Sequence, residues 1–248
     1  MRLKGIFCEV LARQVYYLAA FTPHIVDLEL VGKGLHNEPD VLRAELQRRI
    51  DATPQGQYDA ILLGYGLCSN AIAGLVCAHT QMVVPRAHDC ITLYLGSGER
   101  YSAEFRANPG TYWYTPDYIE RGGIADRVPL GASTDSKDMD QIYREYVEKY
   151  GQDNADYLME VMGAWQKHYN RAAYIETQEI QLPDYTPQIR ELAQRRGWNF
   201  ERLAGSFIIL RDLVEGRWSE DRFLVVPPGH TIVPTYDQQI ITHAAAQS

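Results

Sequence analysis

The sequence predicts a layered α/β protein with a mainly parallel sheet. Short apolar runs alternate with segments of helical periodicity along the 248 residues, which is the pattern of strands connected by helices that cover the sheet. The composition, with 46% hydrophobic and 23% charged residues, supplies enough apolar material for a sizeable core. A weak internal echo of one strand end further suggests two similar Rossmann-like halves.

The elements follow from these local patterns. Apolar runs predict strands at residues 3–8, 60–63, 82–85, 172–175, 202–204 and 223–226. Apolar positions spaced by three and four residues predict helices at 40–50, 70–78, 141–169, 188–196 and 207–215. Gly197 and Gly216 stand just after the last two helices, where glycine commonly ends a helix.

A short sequence motif occurs once in the first part of the chain and again near its end. Val83-Val84-Pro85 is repeated as Val225-Val226-Pro227, and each copy follows a helix, a strand that ends in glycine and a second helix. We therefore predict α/β halves at 1–105 and 168–248, separated by a loop and helical insert at 106–167. A chance recurrence of a common strand end is the alternative. All four cysteines lie in the first half.

Charge and hydropathy exclude several classes of function. The net charge of −8 argues against nucleic acid as a partner, since such proteins need a basic surface. No apolar stretch approaches the roughly 20 residues that span a bilayer, and the first apolar segment is too short for a signal peptide. We therefore expect a cytoplasmic protein whose thiols stay reduced.

Three of the cysteines follow predicted strands. Cys8 ends the first strand, Cys68 lies after the second, and Cys90 lies after the third. Because the carboxyl ends of parallel strands meet at one edge of a sheet, we expect these thiols to converge. Cys77 lies nine residues after Cys68, so on a helix it would point about 180° away and lie about 13.5 Å along the axis, and we assign it to core packing.

The same edge offers a fourth metal ligand in His88, two residues before Cys90. Cys8, Cys68, Cys90 and His88 together would form a tetrahedral zinc site. Three thiolates with one open position would equally suit a [4Fe-4S] cluster with an unligated iron. A metal-free reactive thiol and simple burial of the cysteines are the remaining interpretations.

Other residues near this edge are candidates for binding a substrate. Gly64, Tyr65 and Gly66 form a turn after a strand, where backbone can approach a ligand. Arg86 could hold a carboxylate or a phosphate, with a structural ion pair as the alternative. Tyr112 and Trp113 lie in an aromatic segment between turn-forming residues, which suggests a loop that covers a pocket, or simply a packed loop.

Four sequence segments resemble one family of uncharacterised bacterial and archaeal proteins. They are GYGLCSN at 64–70, VVPRAHDCI at 83–91, NPGTYWYTP at 108–116 and VVPPG at 225–229. The family is defined as a domain of unknown function, and its members often accompany corrinoid-dependent methylamine and methoxy methyltransferases. The resemblance therefore implies a link to one-carbon or corrinoid metabolism. The H-x-C pair of His88 and Cys90 with a distant cysteine also resembles the zinc ligands of cobalamin-linked thiol methyltransferases.

These observations favour a metal-binding protein that holds zinc through cysteines. Its role would be that of an enzyme or an accessory factor in corrinoid-linked methyl transfer. A zinc-dependent methyltransferase is the enzyme they suggest, and its partner would be a small-molecule substrate or a corrinoid protein. The alternatives are an iron–sulfur protein and a non-catalytic protein that binds a corrinoid or a partner through other residues.

Overall fold

The structure is a computed structural model that describes residues 1–122, 169–235 and 237–246, together with residues 147, 148 and 152. Its strands are β1 (Arg2–Cys8), β2 (Ile25–Val31), β3 (Ala60–Gly64), β4 (Met82–Pro85), β5 (Thr111–Tyr114), β6 (Arg171–Glu176), β7 (Asn199–Ala204), β8 (Phe223–Val226), β9 (His230–Pro234) and β10 (Ile241–Ala245). Its helices are α1 (Ala12–Phe21), α2 (Pro39–Asp51), α3 (Cys90–Leu95), α4 (Gly98–Ala107), α5 (Pro116–Glu120), α6 (Thr186–Arg196) and α7 (Ile208–Val214). Short 3-10 helices follow β1 and β2.

A five-stranded sheet of order β2-β1-β3-β4-β8 forms the centre of the fold. The first four strands run parallel, and β8 pairs antiparallel with β4. Strand β3 is buried along its whole length, as expected for a parallel strand covered on both faces. The layered α/β class is therefore confirmed.

The chain divides into two compact units that interleave along the sequence. The first unit comprises Met1–Ser102, Thr177–Leu182 and Ala204–Ser248, and the second comprises Ala103–Glu176 and Pro183–Leu203. The first unit contains the five-stranded sheet, the hairpin of β9 and β10, and the packing of α1 on α7.

The second unit contains a three-stranded sheet of order β5-β6-β7, in which β5 and β6 are parallel. Its interior is aromatic: the ring of Tyr112 lies 5.0 Å from that of Tyr114 and 5.8 Å from that of Trp198. The guanidinium of Arg171 is buried beside the carboxylates of Glu104 and Glu201, at 2.8 and 2.7 Å.

All six predicted strands are confirmed, whereas several neighbouring predictions are corrected. The segment 70–78 is a series of turns, so the predicted helix is wrong there. Residues 111–114 form a buried strand, where a loop is predicted. Most of the predicted helical stretch at 141–169 lies outside the described residues.

The repeated Val-Val-Pro strands turn out to be neighbours. Val83 pairs with Val225 in the antiparallel ladder between β4 and β8. The segment 168–248 contributes strands to all three sheets. None of the helices in the described part of the chain is long and apolar enough to cross a membrane.

Candidate functional site

The candidate site lies at the carboxyl edge of the four parallel strands. The chain leaves β1 towards one neighbour, β2, while β3 lies on the other side of β1. The place between β1 and β3 where the strand order reverses is called a switch point. Because parallel crossovers are right-handed, the connections on its two sides run to opposite faces of the sheet. Ligands of open α/β sheets bind in the crevice that this divergence creates.

Two thiols stand at the switch point. Phe7 pairs with Gly64 in the last register position of β1 and β3, so Cys8 and Tyr65 are the first residues beyond the pair. Cys68 follows three residues after Tyr65, and all three side chains are buried. Cys8 acts electrostatically on the pKa of Cys68, and the convergence of the thiols on one ligand stays a prediction.

The backbone around Cys68 adopts a conformation that non-glycine residues avoid. Cys68, Ser69 and Asn70 have φ values of 45°, 56° and 67°, which form a left-handed turn. Each such residue costs about 1–2 kcal/mol, and strain of this kind concentrates at functional sites.

Hydrogen bonds from outside the turn hold it in place. The amide of Cys68 donates to the carbonyl of His88 at 2.9 Å, and the amide of Leu67 donates to that of Ala87 at 2.8 Å. Arg43 donates to the carbonyl of Asn70 at 2.8 Å. The backbone of the turn is therefore held by the segment that follows β4 and by α2.

Two glycines allow the strand ends to approach this closely. A Cβ on Gly64 would lie 1.8 Å from the Phe7 ring, and a Cβ on Gly66 would lie 2.6 Å from the backbone nitrogen of Asp89. Both clashes are far inside van der Waals contact. These contacts within the protein account for both glycines, and the approach of a ligand to this turn stays a prediction.

Burial controls the protonation of the thiol. Desolvation raises the pKa of Cys68 well above its ordinary value, and electrostatic repulsion from Asp89 and Cys8 raises it further. A hydrogen bond with the Gly66 backbone lowers the pKa, but by less. The metal-free Cys68 side chain is therefore a neutral thiol at physiological pH, and a neutral thiol is a poor nucleophile.

Asp89 fixes the start of α3, which Cys90 opens. Its carboxylate accepts from the amide of Ile91 at 3.0 Å and from the hydroxyl of Tyr101 at 2.9 Å. Cys90 is buried on the first turn. His88 is exposed, whereas the three thiols are buried.

A histidine that the sequence analysis did not select lies in the short 3-10 helix that follows β2. The His36 ring stacks on Tyr65 at 5.9 Å, and its Nδ1 lies 3.0 Å from the carbonyl oxygen of Lys33. A carbonyl oxygen only accepts, so Nδ1 carries the proton and Nε2 carries a lone pair. Burial lowers the pKa of His36, which keeps the ring neutral.

Glu9 and Lys33 join the first two strands next to this histidine. The carboxylate of Glu9, directly after β1, accepts from the amide of Lys33, which follows β2, at 2.8 Å. Lys33 is buried, and the negative charge of Glu9 acts on His36 to raise its pKa against the effect of burial. We call Cys8, His36, Tyr65, Cys68 and Asp89 the switch-point site.

Other predicted residues have different surroundings. Arg86 donates to the backbone carbonyls of Glu220, Gln239 and Ile241, the first two at 2.8 and 2.9 Å, which favours its structural alternative. Tyr112 and Trp113 are buried in the second unit. Cys77 is buried as predicted, but in a non-helical segment.

The metal prediction depends on how the candidate ligands are arranged. None of the four cysteines forms a disulfide. Within residues 1–122, 169–235 and 237–246, no three His, Cys, Asp or Glu side chains are arranged to hold an ion. The donor types at the switch point suit a soft metal, while the complete ligand set is not assembled.

Fold and site together define an α/β protein with a thiol-lined switch point at the edge of a parallel sheet. The chain belongs to the family described as "Protein of unknown function (DUF1638)", whose model matches residues 30–214. No curated protein and no solved structure matches it significantly.

Proposed function

We propose that this protein binds a soft metal ion, zinc in the first instance, at the switch-point site and serves in corrinoid-linked methyl transfer in the cytoplasm. The observation that carries the proposal is the left-handed turn at Cys68, which holds a buried thiol beside Cys8 at the switch point. Residues in sparsely populated backbone conformations cluster at functional sites, and this turn lies at the edge of the sheet where ligands of such folds bind.

The protonation of the thiol separates the proposal from a metal-free alternative. A neutral, desolvated Cys68 is a poor nucleophile by itself. A metal ion displaces the thiol proton and compensates the buried negative charge. The environment of Cys68 therefore supports a ligand role better than that of a free nucleophile.

Cys8 and Cys68 would be the first two ligands, and Cys90 the third. Cys90 is buried and its helix is anchored through Asp89. His88 is a weaker candidate because its side chain is exposed. Zinc bound here would lower the pKa of a thiol or water in its open position towards neutrality.

The protein's own residues would then orient the incoming molecule. Tyr65 and His36 form one polar wall beside the thiols, with a hydroxyl donor and an imidazole acceptor. A substrate thiol, or a methyl group carried by a corrinoid protein, is the chemistry that such a site would serve. The corrinoid link rests on the family resemblance, and it remains part of the proposal.

Metal analysis of the purified chain tests this function, with Cys77 as an internal control. The Cys8→Ser/Cys68→Ser double variant removes the two central thiols, whereas Cys77→Ser removes a buried thiol outside the switch-point site. We expect zinc in the wild type and in Cys77→Ser after purification in zinc-containing medium, and none in the double variant. Undiminished zinc in the double variant, or no zinc in any form, would contradict the proposal.

An iron–sulfur cluster is the second candidate, and the burial of Cys8, Cys68 and Cys90 is the observation that favours it. Anaerobic purification decides between the two candidates. A brown protein with iron and acid-labile sulfide would replace zinc with a [4Fe-4S] cluster on the same residues. Cysteines that react slowly with thiol reagents, whether or not a chelator is present, would indicate the non-catalytic alternative, in which they serve packing.

A further inference from the structure

Strand β2 forms one edge of the five-stranded sheet, and its hydrogen bonds show which of its polar groups face outwards. The amide of Ile25 donates to the carbonyl of Met1 at 3.1 Å, so the backbone polar groups of Ile25 point towards β1. These groups alternate in direction along a strand. The amides and carbonyls of Val26, Leu28 and Leu30 therefore point away from the sheet.

This outward side of β2 is largely unpaired. The carbonyl of Leu30 accepts from the side chain of Arg49 at 3.2 Å, whereas the outward groups of Val26 and Leu28 form no hydrogen bond with any described residue. The other edge of the sheet differs, since β8 has four residues against the seven of β2 and contacts the hairpin of β9 and β10. Proteins usually shorten or cover a long free edge, because it can pair with another chain.

Charge does not protect this edge, because the chain neutralises both acidic residues of β2. The carboxylate of Asp27 lies 3.1 Å from the guanidinium of Arg2. The carboxylate of Glu29 is paired with Lys4 and lies 3.2 Å from the guanidinium of Arg49. Like charges on facing strands destabilise a sheet, but in a second copy of β2 each carboxylate would again bring its own cation.

The sequence of β2 is symmetric in its chemical character. On both sides of Leu28, residues 25–31 present first an acidic residue and then two aliphatic ones. In an antiparallel pair of two such strands, with a two-fold axis at Leu28, each aliphatic residue faces an aliphatic residue. The side chains of Val26, Leu28 and Leu30 are only half-buried, so this pairing also removes apolar surface from water.

We propose that two copies of this chain form a two-fold dimer by pairing their β2 strands into one continuous sheet. Leu28 of each copy exchanges two backbone hydrogen bonds with Leu28 of the other, and Val26 does the same with Leu30, which gives about six bonds in total. The Leu30 carbonyl can take part, because its oxygen has a second lone pair beside the one that Arg49 uses.

Val26→Pro tests this pairing. Proline lacks the amide N–H, and an edge strand tolerates it where that group faces solvent. The substitution removes one hydrogen bond on each side of the two-fold axis, so the dissociation constant of the dimer, measured by sedimentation equilibrium, should rise about tenfold or more. The circular dichroism spectrum should match that of the wild type, because the bonds between β1 and β2 are kept.

Val41→Pro is the matched control, since it makes the same chemical change at a valine outside β2. Val41 is 45% exposed and lies in the first turn of α2, where amides have no partner within the helix and proline is tolerated. The dissociation constant of this variant should stay within about threefold of the wild-type value. The comparison separates edge pairing from a general effect of proline.

Hydrogen exchange locates the interface in the unmodified chain. The outward amides of Val26, Leu28 and Leu30 should exchange slowly at protein concentrations above the dissociation constant, and fast after dilution below it. The amides of β3, which is buried within the sheet, should show no such dependence. This measurement decides the question even if Val26→Pro does not fold.

Three results would overturn the proposal. They are a wild-type chain that is monomeric at every concentration, equal dissociation constants for Val26→Pro and wild type, and slow exchange of the β2 amides that does not change on dilution. The last result would show that another segment of the chain covers the edge. None of these measurements depends on a bound metal, so the metal-binding function proposed above stands or falls separately.

Discussion

Replacing Gly66 by alanine tests whether the close approach of two strand ends builds the site. The new Cβ would lie 2.6 and 2.7 Å from the backbone nitrogen and Cα of Asp89, and 2.9 Å from the carbonyl oxygen of Ala87. These are backbone atoms, which cannot rotate away as the end of a flexible side chain can. The loops after β3 and β4 would have to separate.

The cost follows from the general penalty for overpacking. Inserting a methyl group into a packed region costs about 1–3 kcal/mol, and contact with three backbone atoms puts Gly66→Ala near the upper end, at about 2–3 kcal/mol. For a protein of this size each kcal/mol lowers the melting temperature by about 2–4 °C. We expect thermal unfolding, followed by circular dichroism, to occur about 4–12 °C lower than in the wild type.

Gly98→Ala is the appropriate control. Gly98 opens α4, and a Cβ placed there meets nothing within 4 Å. The substitution should leave stability unchanged or raise it by up to about 1 kcal/mol through helix propensity. Equal stability of the two variants would refute the reasoning, because the approach of the two loops would then tolerate a side chain.

Two further predictions concern the thiol of Cys68 and the guanidinium of Arg86. The pKa of Cys68 is raised in the folded chain, so its contribution to stability is complete below about pH 8.5 and is lost as the pH rises. We therefore expect the free energy of unfolding, measured with denaturant from pH 8 to 10, to fall more steeply for wild type than for Cys68→Ser, by up to about 1.4 kcal/mol per pH unit. Parallel curves for the two proteins would contradict this. Arg86→Ala removes the donors to three carbonyls and should cost about 2 kcal/mol, with faster hydrogen exchange in β10; unchanged exchange there would refute the anchoring role.

The sequence was sufficient to predict the fold class and the strands that carry the cysteines. Continuous apolar runs such as β3 are visible locally, and the rule that parallel strands share a carboxyl edge then predicts that Cys8 and Cys68 lie near that edge. The strand order was not predictable, since β1 and β3 become neighbours only because β2 pairs on the far side of β1. That order creates the switch point.

The false helix at 70–78 has a non-local cause. Ala71, Ile72 and Leu75 have helical spacing, but the segment pairs with a strand more than 150 positions later, through the amide of Gly74 and the carbonyl of Ile232 at 2.8 Å. Such pairing outweighs local periodicity and leaves no trace in the segment itself.

Strand β2, which the sequence analysis did not predict, does have a local signal. Strand β2 has the alternation of Val26, Leu28 and Leu30 with acidic residues between them, and this period-two signal could have identified it. With β2 recognised, His36 would have been placed at the same edge as the cysteines. That the hydroxyl of Tyr65 has no partner among the described residues leaves no signature in the sequence, because it depends on contacts made only after folding.

The antiparallel strand β8 has a consequence for biosynthesis. The four parallel strands lie within the first 85 residues, but their partner β8 is translated about seven to 28 seconds later at ordinary elongation rates of roughly 5–20 residues per second. During that interval the nascent chain carries β4 with one unprotected edge, which invites pairing with other chains. Ribosome-associated chaperones would find their target at this edge, until residues 223–226 emerge and close it.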